Sequence, residues 1–223
     1  MDFFDKSDYF SIAIPTILFS VLFSVIGSML MDYLYARAPK DLLSFPEQVT
    51  TRAKYRRPLL FLLLAIFIGR ACTTVAPPAL YYLLIAIVCL SITTATDFEQ
   101  YVIFDAMLVP FAATGFLYTI HMGLPITGHI VASLGGGLVF LLLAIVTKGA
   151  IGGGDIKLIA AMGLWLGIRP LLSVIVYGFI AGGIAALFLL LTKQKSRHSY
   201  FAYGPYFALS GLSILLKWFR ALF

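Results

Sequence analysis

Four acidic side chains hold the chemistry open to this sequence: Asp97, Glu99, Asp105 and Asp155. The other six of its ten acids (Asp2, Asp5, Asp8, Asp32, Asp41 and Glu47) fall in the N-terminal tail or a first polar connection, where water reaches them. The four sit where long apolar runs end. A carboxylate at membrane depth is costly and marks an ion path, a proton relay or a catalytic site. Asp97 lies just past the last apolar turn of SITTATD, and Glu99 and Asp105 follow on a short hairpin. Asp155 follows Gly152, Gly153 and Gly154 and precedes a helical run that opens with Lys157, so it is expected as a helix N-cap. Three glycines do more than a cap requires, because they permit positive φ and let another main chain come close. Two carboxylates from distant segments, at one depth, can hydrolyse a peptide without metal or covalent intermediate. One is a base toward water and the other an acid toward the scissile carbonyl or leaving amine. Like-charge repulsion separates their protonation steps, and the pair titrates as a unit.

Acids so placed need apolar elements to hold them. Of the 223 residues, 61% are hydrophobic and 12% charged, with a mean hydropathy of +0.99. A soluble domain carries roughly 45–50% apolar and about 25% charged residues. A soluble core and a disordered chain are both excluded. The apolar runs are continuous, unlike the alternating stretches of about ten residues that build a membrane barrel, so the spans are helices. Eight are expected, at 10–31, 58–75, 78–95, 103–121, 126–147, 156–168, 170–192 and 203–220. The fold class is therefore all-α, a polytopic membrane helix bundle. The sixth span is short, about 20 Å at about 1.5 Å per residue, and is expected to be recessed or to thin the bilayer locally. A single domain over 1–223 is expected, with 32–57 a short cytoplasmic loop too small to form a core.

Placing the N-terminus outside puts eleven basic residues inside (Arg37, Lys40, Arg52, Lys54, Arg56, Arg57, Lys148, Lys157, Lys193, Lys195 and Arg197). Five fall outside: Lys6, Arg70, Arg169, Lys217 and Arg220. This is the asymmetry that the positive-inside rule expects. Membrane lipid is then the partner for the net charge of +6, and no nucleic acid is called for. The start MDFFDKSDYF is acidic where a cleavable signal is basic, so the first span is expected to remain as an anchor. Cys72 and Cys89 differ in depth and, with His121, His129 and His198 scattered, give no zinc-ligand spacing. The glycines at 135–137, 178, 182 and 183 suit close helix packing, within the protein or against a substrate helix.

Gly152-Gly153-Gly154-Asp155, running on through Lys157-Leu158, Ala160-Ala161 and Gly163-Leu164-Trp165-Leu166-Gly167, closely resembles the GxGD-KL-AA-G-WLG signature of type IV prepilin leader peptidases. Thr96 to Asp105 is similar to that family's acidic element: Asp97 matches its first catalytic aspartate, Glu99 replaces the second acid, Phe104 replaces a proline and Asp105 matches the last acid. Gly27-Ser28-Met29-Leu30 with Arg37 and Pro39, and Tyr203-Gly204-Pro205-Tyr206-Phe207-Ala208-Leu209, resemble two further motifs, in order along nearly the whole chain.

The resemblance implies a multi-pass aspartic endopeptidase of the bacterial cytoplasmic membrane. Such enzymes remove the short leader of prepilins and pseudopilins at the cytoplasmic face. It implies Asp97 and Asp155 as the catalytic pair, with Gly152, Gly153, Gly154, Glu99, Asp105 and Lys157 in substrate-binding or supporting places. The peptidase needs no cofactor. Many bacterial members also methylate the new N-terminus with S-adenosylmethionine, which is the cofactor here if that activity is retained. Many carry two Cys-x-x-Cys pairs thought to hold zinc after the first span; residues 32–57 contain no cysteine, so no zinc is expected. Two rival readings stay open on the residues alone, an ion-coupled transporter or channel and a non-enzymatic assembly factor. The oligomeric state is unknown from the sequence.

Overall fold

The computed structural model describes residues 6–192 and 201–222, all of them helical or in short connections, with no strand among them. Eight long helices follow the apolar runs closely. They are α1 (Lys6–Arg37), α3 (Arg56–Thr74), α4 (Ala79–Gln100), α5 (Asp105–His121), α6 (Ile126–Val146), α7 (Gly153–Leu166), α8 (Ile168–Leu191) and α9 (Gly204–Leu222). A four-residue helix, α2 (Val49–Arg52), sits with short 3₁₀ turns between α1 and α3. Among the described residues, five helical stretches are long and apolar enough to cross a membrane: those of α1, α3, α4, α6 and α8. The chain is a multi-pass helical membrane protein. Lys193, Lys195, Arg197 and His198 lie outside the described residues, as do Asp2 and Asp5.

The bundle is apolar on its outside, as lipid requires. Only 22% of the apolar window of α6 and 17% of that of α8 is buried, with Leu134, Ile145, Val146, Ile184 and Leu191 facing outward. The inner helices are α4, with 67% of its window buried, and α7. At 14 residues, α7 rises only about 21 Å, well short of the about 30 Å hydrocarbon layer. It is held as an internal strut rather than as a span. Trp165 of α7 stacks on Phe111 and Tyr118 of α5 and donates its indole N–H to the Phe111 carbonyl at 2.7 Å. Gly163 brings α7 against the main chain of α6 so closely that a Cβ there would overlap the backbone of Ser133. Small residues permit such an approach where no hydrophobic force drives helices together. Gly136, Gly137, Gly178 and Gly182 likewise meet side chains of neighbouring helices, whereas Gly135 and Gly183 face open space.

Three boundaries differ from the sequence expectation. The stretch 32–57 is not all loop, because α1 runs on to Arg37 and α3 begins at Arg56. The connection between them docks on the end of α4: Gln100 receives the Phe45 N–H at 2.8 Å and returns its own Nε2–H to the Phe45 carbonyl at 3.0 Å. Arg52 stacks over Phe45, 3.7 Å from the ring centroid. The third difference is α4 itself, which continues through Gln100 and ends where Tyr101 turns left-handed (φ 55°) and donates its N–H to the Asp97 carbonyl at 3.0 Å. Asp97 and Glu99 are therefore in the last helical turns, not beyond them. His129 is buried, with Nδ1 2.9 Å from the Leu164 carbonyl.

Candidate active site

Asp97 projects from the last turns of α4 and is 6% exposed. Asp155 comes from the first turn of α7. It is not the N-cap: Gly152 holds that place, and Asp155 stands three residues further on. The shift follows from the glycines, since Gly152 takes the extended backbone of a cap (φ −73°, ψ 150°) and Gly153 and Gly154 enter the helix. At this third position the carboxylate lies beside the first N–H groups of the helix, where negative charge is favoured.

The two carboxylates converge on Gly204, the first residue of α9. A Cβ added there would lie 2.5 Å from Asp97 Oδ2 and 3.1 Å from Asp155 Oδ1, so those oxygens are no further apart than the two distances together. The Gly204 N–H interacts with Asp97, and Asp97 feels the charge of Asp155. Asp155 Oδ1 is shielded from solvent yet has no hydrogen-bond partner among the described residues. A buried, unpartnered carboxylate oxygen is rare in folded proteins and marks a place where a ligand, proton or water belongs.

A cleft of about 610 Å³ opens over the pair. Gly152, Gly153 and Gly154 form one wall, residues 101–106 another, and Leu42 of the α1–α3 connection reaches the edge. Gly154 seats α7 against the second wall, since a Cβ there would stand 2.9 Å from that of Ile103. Asp105 and Lys157 are at the rim, where Lys157 Nζ donates to both Asp105 oxygens at 2.8 Å. Both are well exposed, so this pair joins α5 to α7 with a contribution of under about 1 kcal/mol.

Glu99 does not join the others. Residues two apart on a helix point to nearly opposite sides, and Glu99 turns from the cleft into the contact of α4 with α1 and α3. There it accepts from Arg56 Nε at 3.0 Å and Nη2 at 2.9 Å, and from the Tyr35 hydroxyl at 3.2 Å. Arg56, 1% exposed, also donates to Asp32 at 2.5 Å, and Arg52 donates to the Glu99 carbonyl at 2.7 Å. Glu99, expected in a substrate-binding or supporting place, stands outside the cleft in a buried ion-pair network two residues from Asp97. By sequence Arg56 is one of eleven inner-side charges; the signal for its role is that a buried acid needs a cation at its own depth. The signal for Gly204 in the sequence is the Gly-Pro pair that opens a helix.

Among the described residues no group of three or more His, Cys, Asp or Glu could hold a metal. Residues 38–55 contain neither Cys nor His, so they do not fit a zinc.

Residues 83–187 match the Type IV leader peptidase family, a segment that includes Asp97, the three glycines and Asp155. The chain is similar to the prepilin leader peptidase/N-methyltransferase of Aeromonas salmonicida (strain A449), 29% identical over 168 residues, which cover 71% of this chain and 56% of the relative. It is similar to the protein of that name from Neisseria gonorrhoeae, 32% identical over 124 residues (53% of this chain, 42% of the relative). A third, from Legionella pneumophila, is 39% identical over 71 residues (32% and 24%). The chain spans about half the length of the curated relatives it matches, 56% for the first. No solved structure matches it.

Proposed function

We propose that this chain, whose residues 83–187 match the Type IV leader peptidase family, is a membrane aspartic endopeptidase with Asp97 and Asp155 as its catalytic pair. Its substrates are prepilins or pseudopilins, cut between a short leader and the apolar helix that follows. The observation that carries the reading is the convergence of two carboxylates, 58 residues apart in sequence, on a glycine whose Cβ would stand 2.5 Å from one and 3.1 Å from the other.

The pair works with one proton between its two members. The unprotonated carboxylate takes a proton from water as the water oxygen attacks the scissile carbonyl carbon. The protonated one gives its proton to the carbonyl oxygen, leaving a neutral gem-diol. Collapse then breaks the C–N bond: the carboxylic acid formed in the first step protonates the departing amine, and the other carboxylate recovers its proton from a diol hydroxyl. The Gly152–Gly154 wall leaves room for an extended substrate backbone beside Asp155. Asp105 and Lys157 hold the mouth of the cleft between α5 and α7. With the N-terminus outside, the cleft faces the cytoplasm, and a prepilin anchored by its own helix reaches it by lateral diffusion in the inner membrane.

Methylation of the new N-terminus with S-adenosylmethionine is a second reading, favoured by Gly27–Leu30 with Arg37 and Pro39 and by the names of the relatives. No residue is assigned to that cofactor. One assay addresses both readings: a purified prepilin is incubated in liposomes with wild type, Asp97→Asn or Asp155→Asn, with and without S-adenosylmethionine, and read by mass spectrometry. Leader loss with wild type alone supports the pair. A gain of about 14 Da on the mature N-terminus adds the methyltransferase. Normal cutting by either Asn variant overturns the assignment.

A further inference from the structure

A separate cluster of basic side chains lies at the end of the bundle remote from the carboxylates. Gly204 opens α9 at the carboxylates, so Lys217, thirteen residues on, is about 20 Å away along the axis. Arg70 lies in the last turns of α3, whose first residue Arg56 meets Glu99, and Arg169 lies in the first turn of α8, after α7 has run away from Asp155. Four cations, counting Arg220, are thus brought to one end, the end expected to be poor in positive charge.

They line two adjoining grooves. Arg70, Lys217 and Arg220 share one of about 440 Å³. Arg169, Lys217 and Trp218 line another of about 250 Å³. Among the described residues no acidic side chain lines either, and none of the four cations makes an ion pair. An independent observation points the same way. The Trp218 indole N–H, a donor with no acceptor capacity, is shielded from solvent and has no hydrogen-bond partner among the described residues. Guanidinium, ammonium and indole N–H together offer donors only, and the group that satisfies them is an anion with several acceptor oxygens. Phe67 and Leu216 in the first groove and Ile214 in the second supply an apolar side to each. A ligand that is anionic at one end and apolar at the other belongs there.

We propose that these grooves bind the phosphate of an anionic membrane lipid, its headgroup between Arg169, Lys217 and Trp218 and its acyl chains along Phe67 and Leu216. The site is separate from the carboxylates and does not depend on the peptidase reading.

The protein in vesicles provides the test, because the sequence has two tryptophans and Trp165 is fully buried in the core, leaving Trp218 to report. Quenching is measured with brominated phosphatidylglycerol and with brominated phosphatidylcholine at equal mole fraction. A preference of about threefold or more for the anionic lipid is expected. It falls to about one in Arg169→Gln/Lys217→Gln and in Lys217→Gln alone, and persists in the charge-preserving Arg169→Lys/Lys217→Arg. Matching thermal melts show that the variants are folded. No preference in wild type, or an unchanged one in the Gln variants, overturns the proposal. Millimolar inorganic phosphate added to phosphatidylcholine vesicles separates the sources. If it changes Trp218 emission while the lipids quench equally, the site takes free phosphate and the lipid assignment falls.

Discussion

Gly204→Ala is the substitution that most sharply probes how the carboxylates are held. The new Cβ would stand 2.5 Å from Asp97 Oδ2 and 3.1 Å from Asp155 Oδ1. Ordinary contact needs about 3.4 Å or more, so Asp97 must retreat by about 1 Å or α9 must move outward by as much. Ile103, 2.9 Å from the same position, closes the third direction. Overpacking of this kind destabilises a fold by about 1–3 kcal/mol. The effect on rate is larger than that suggests, because a misplacement of about 1 Å at reacting groups lowers turnover by about 100-fold. Kinetics of prepilin cleavage in liposomes, with KM and kcat separated, are the assay. We expect kcat to fall by about two orders of magnitude with KM altered far less, since the leader still meets the Gly152–Gly154 wall. Gly183→Ala, where nothing lies within 4 Å, is the control and keeps wild-type kinetics. A folded Gly204→Ala enzyme with kcat within about threefold of wild type would refute the reasoning that the two carboxylates must meet at this glycine.

Three further outcomes concern the framework. Arg56→Met leaves Glu99 charged and buried without its cation and lowers stability by about 3–5 kcal/mol, measured by denaturation in mixed micelles; Arg56→Met with Glu99→Leu recovers most of that loss, and failure to recover would mean that the pair is not the reason. Lys157→Ala changes stability by less than about 1 kcal/mol, and the difference shrinks further in high salt, because its ion pair with Asp105 is exposed. Gly163→Ala pushes α7 off the backbone of α6 and lowers stability by at least about 2 kcal/mol in the same denaturation assay, whereas Gly135→Ala, facing open space, leaves it unchanged.

The bundle is legible in the sequence because lipid makes hydropathy a direct readout of helix position, and most expected spans begin and end within a few residues of their helices. Legibility fades where polar residues are buried by partners instead of by lipid. The tail of α4, TTATDFEQ, reads as the end of an apolar run, yet it stays helical because Thr94 and Thr96 bond back to their own helix and Gln100 and Glu99 find partners in the α1–α3 connection and α3. Those partners are 43 to 55 residues away in sequence, and no local pattern announces them. Asp97 and Asp155 are legible as a pair because carboxylates are scarce past residue 48 and both sit at apolar boundaries. Glu99 shares that boundary and still belongs elsewhere, because helical geometry turns it away from Asp97. Asp155 reads as an N-cap from its place after three glycines, but glycine itself serves as the cap and moves the acid into the first turn.

The central claim is that Asp97 and Asp155 act as one chemical unit, and a double-mutant cycle on cleavage rate tests it most directly. The turnover of wild type, Asp97→Asn, Asp155→Asn and the double variant is measured on one prepilin under single-turnover conditions. Either single change is expected to abolish nearly all of the rate, and the double variant to be no worse than the singles, because a pair sharing one proton fails when either member is lost. Losses that multiply independently, or a single variant that retains substantial turnover, would contradict it.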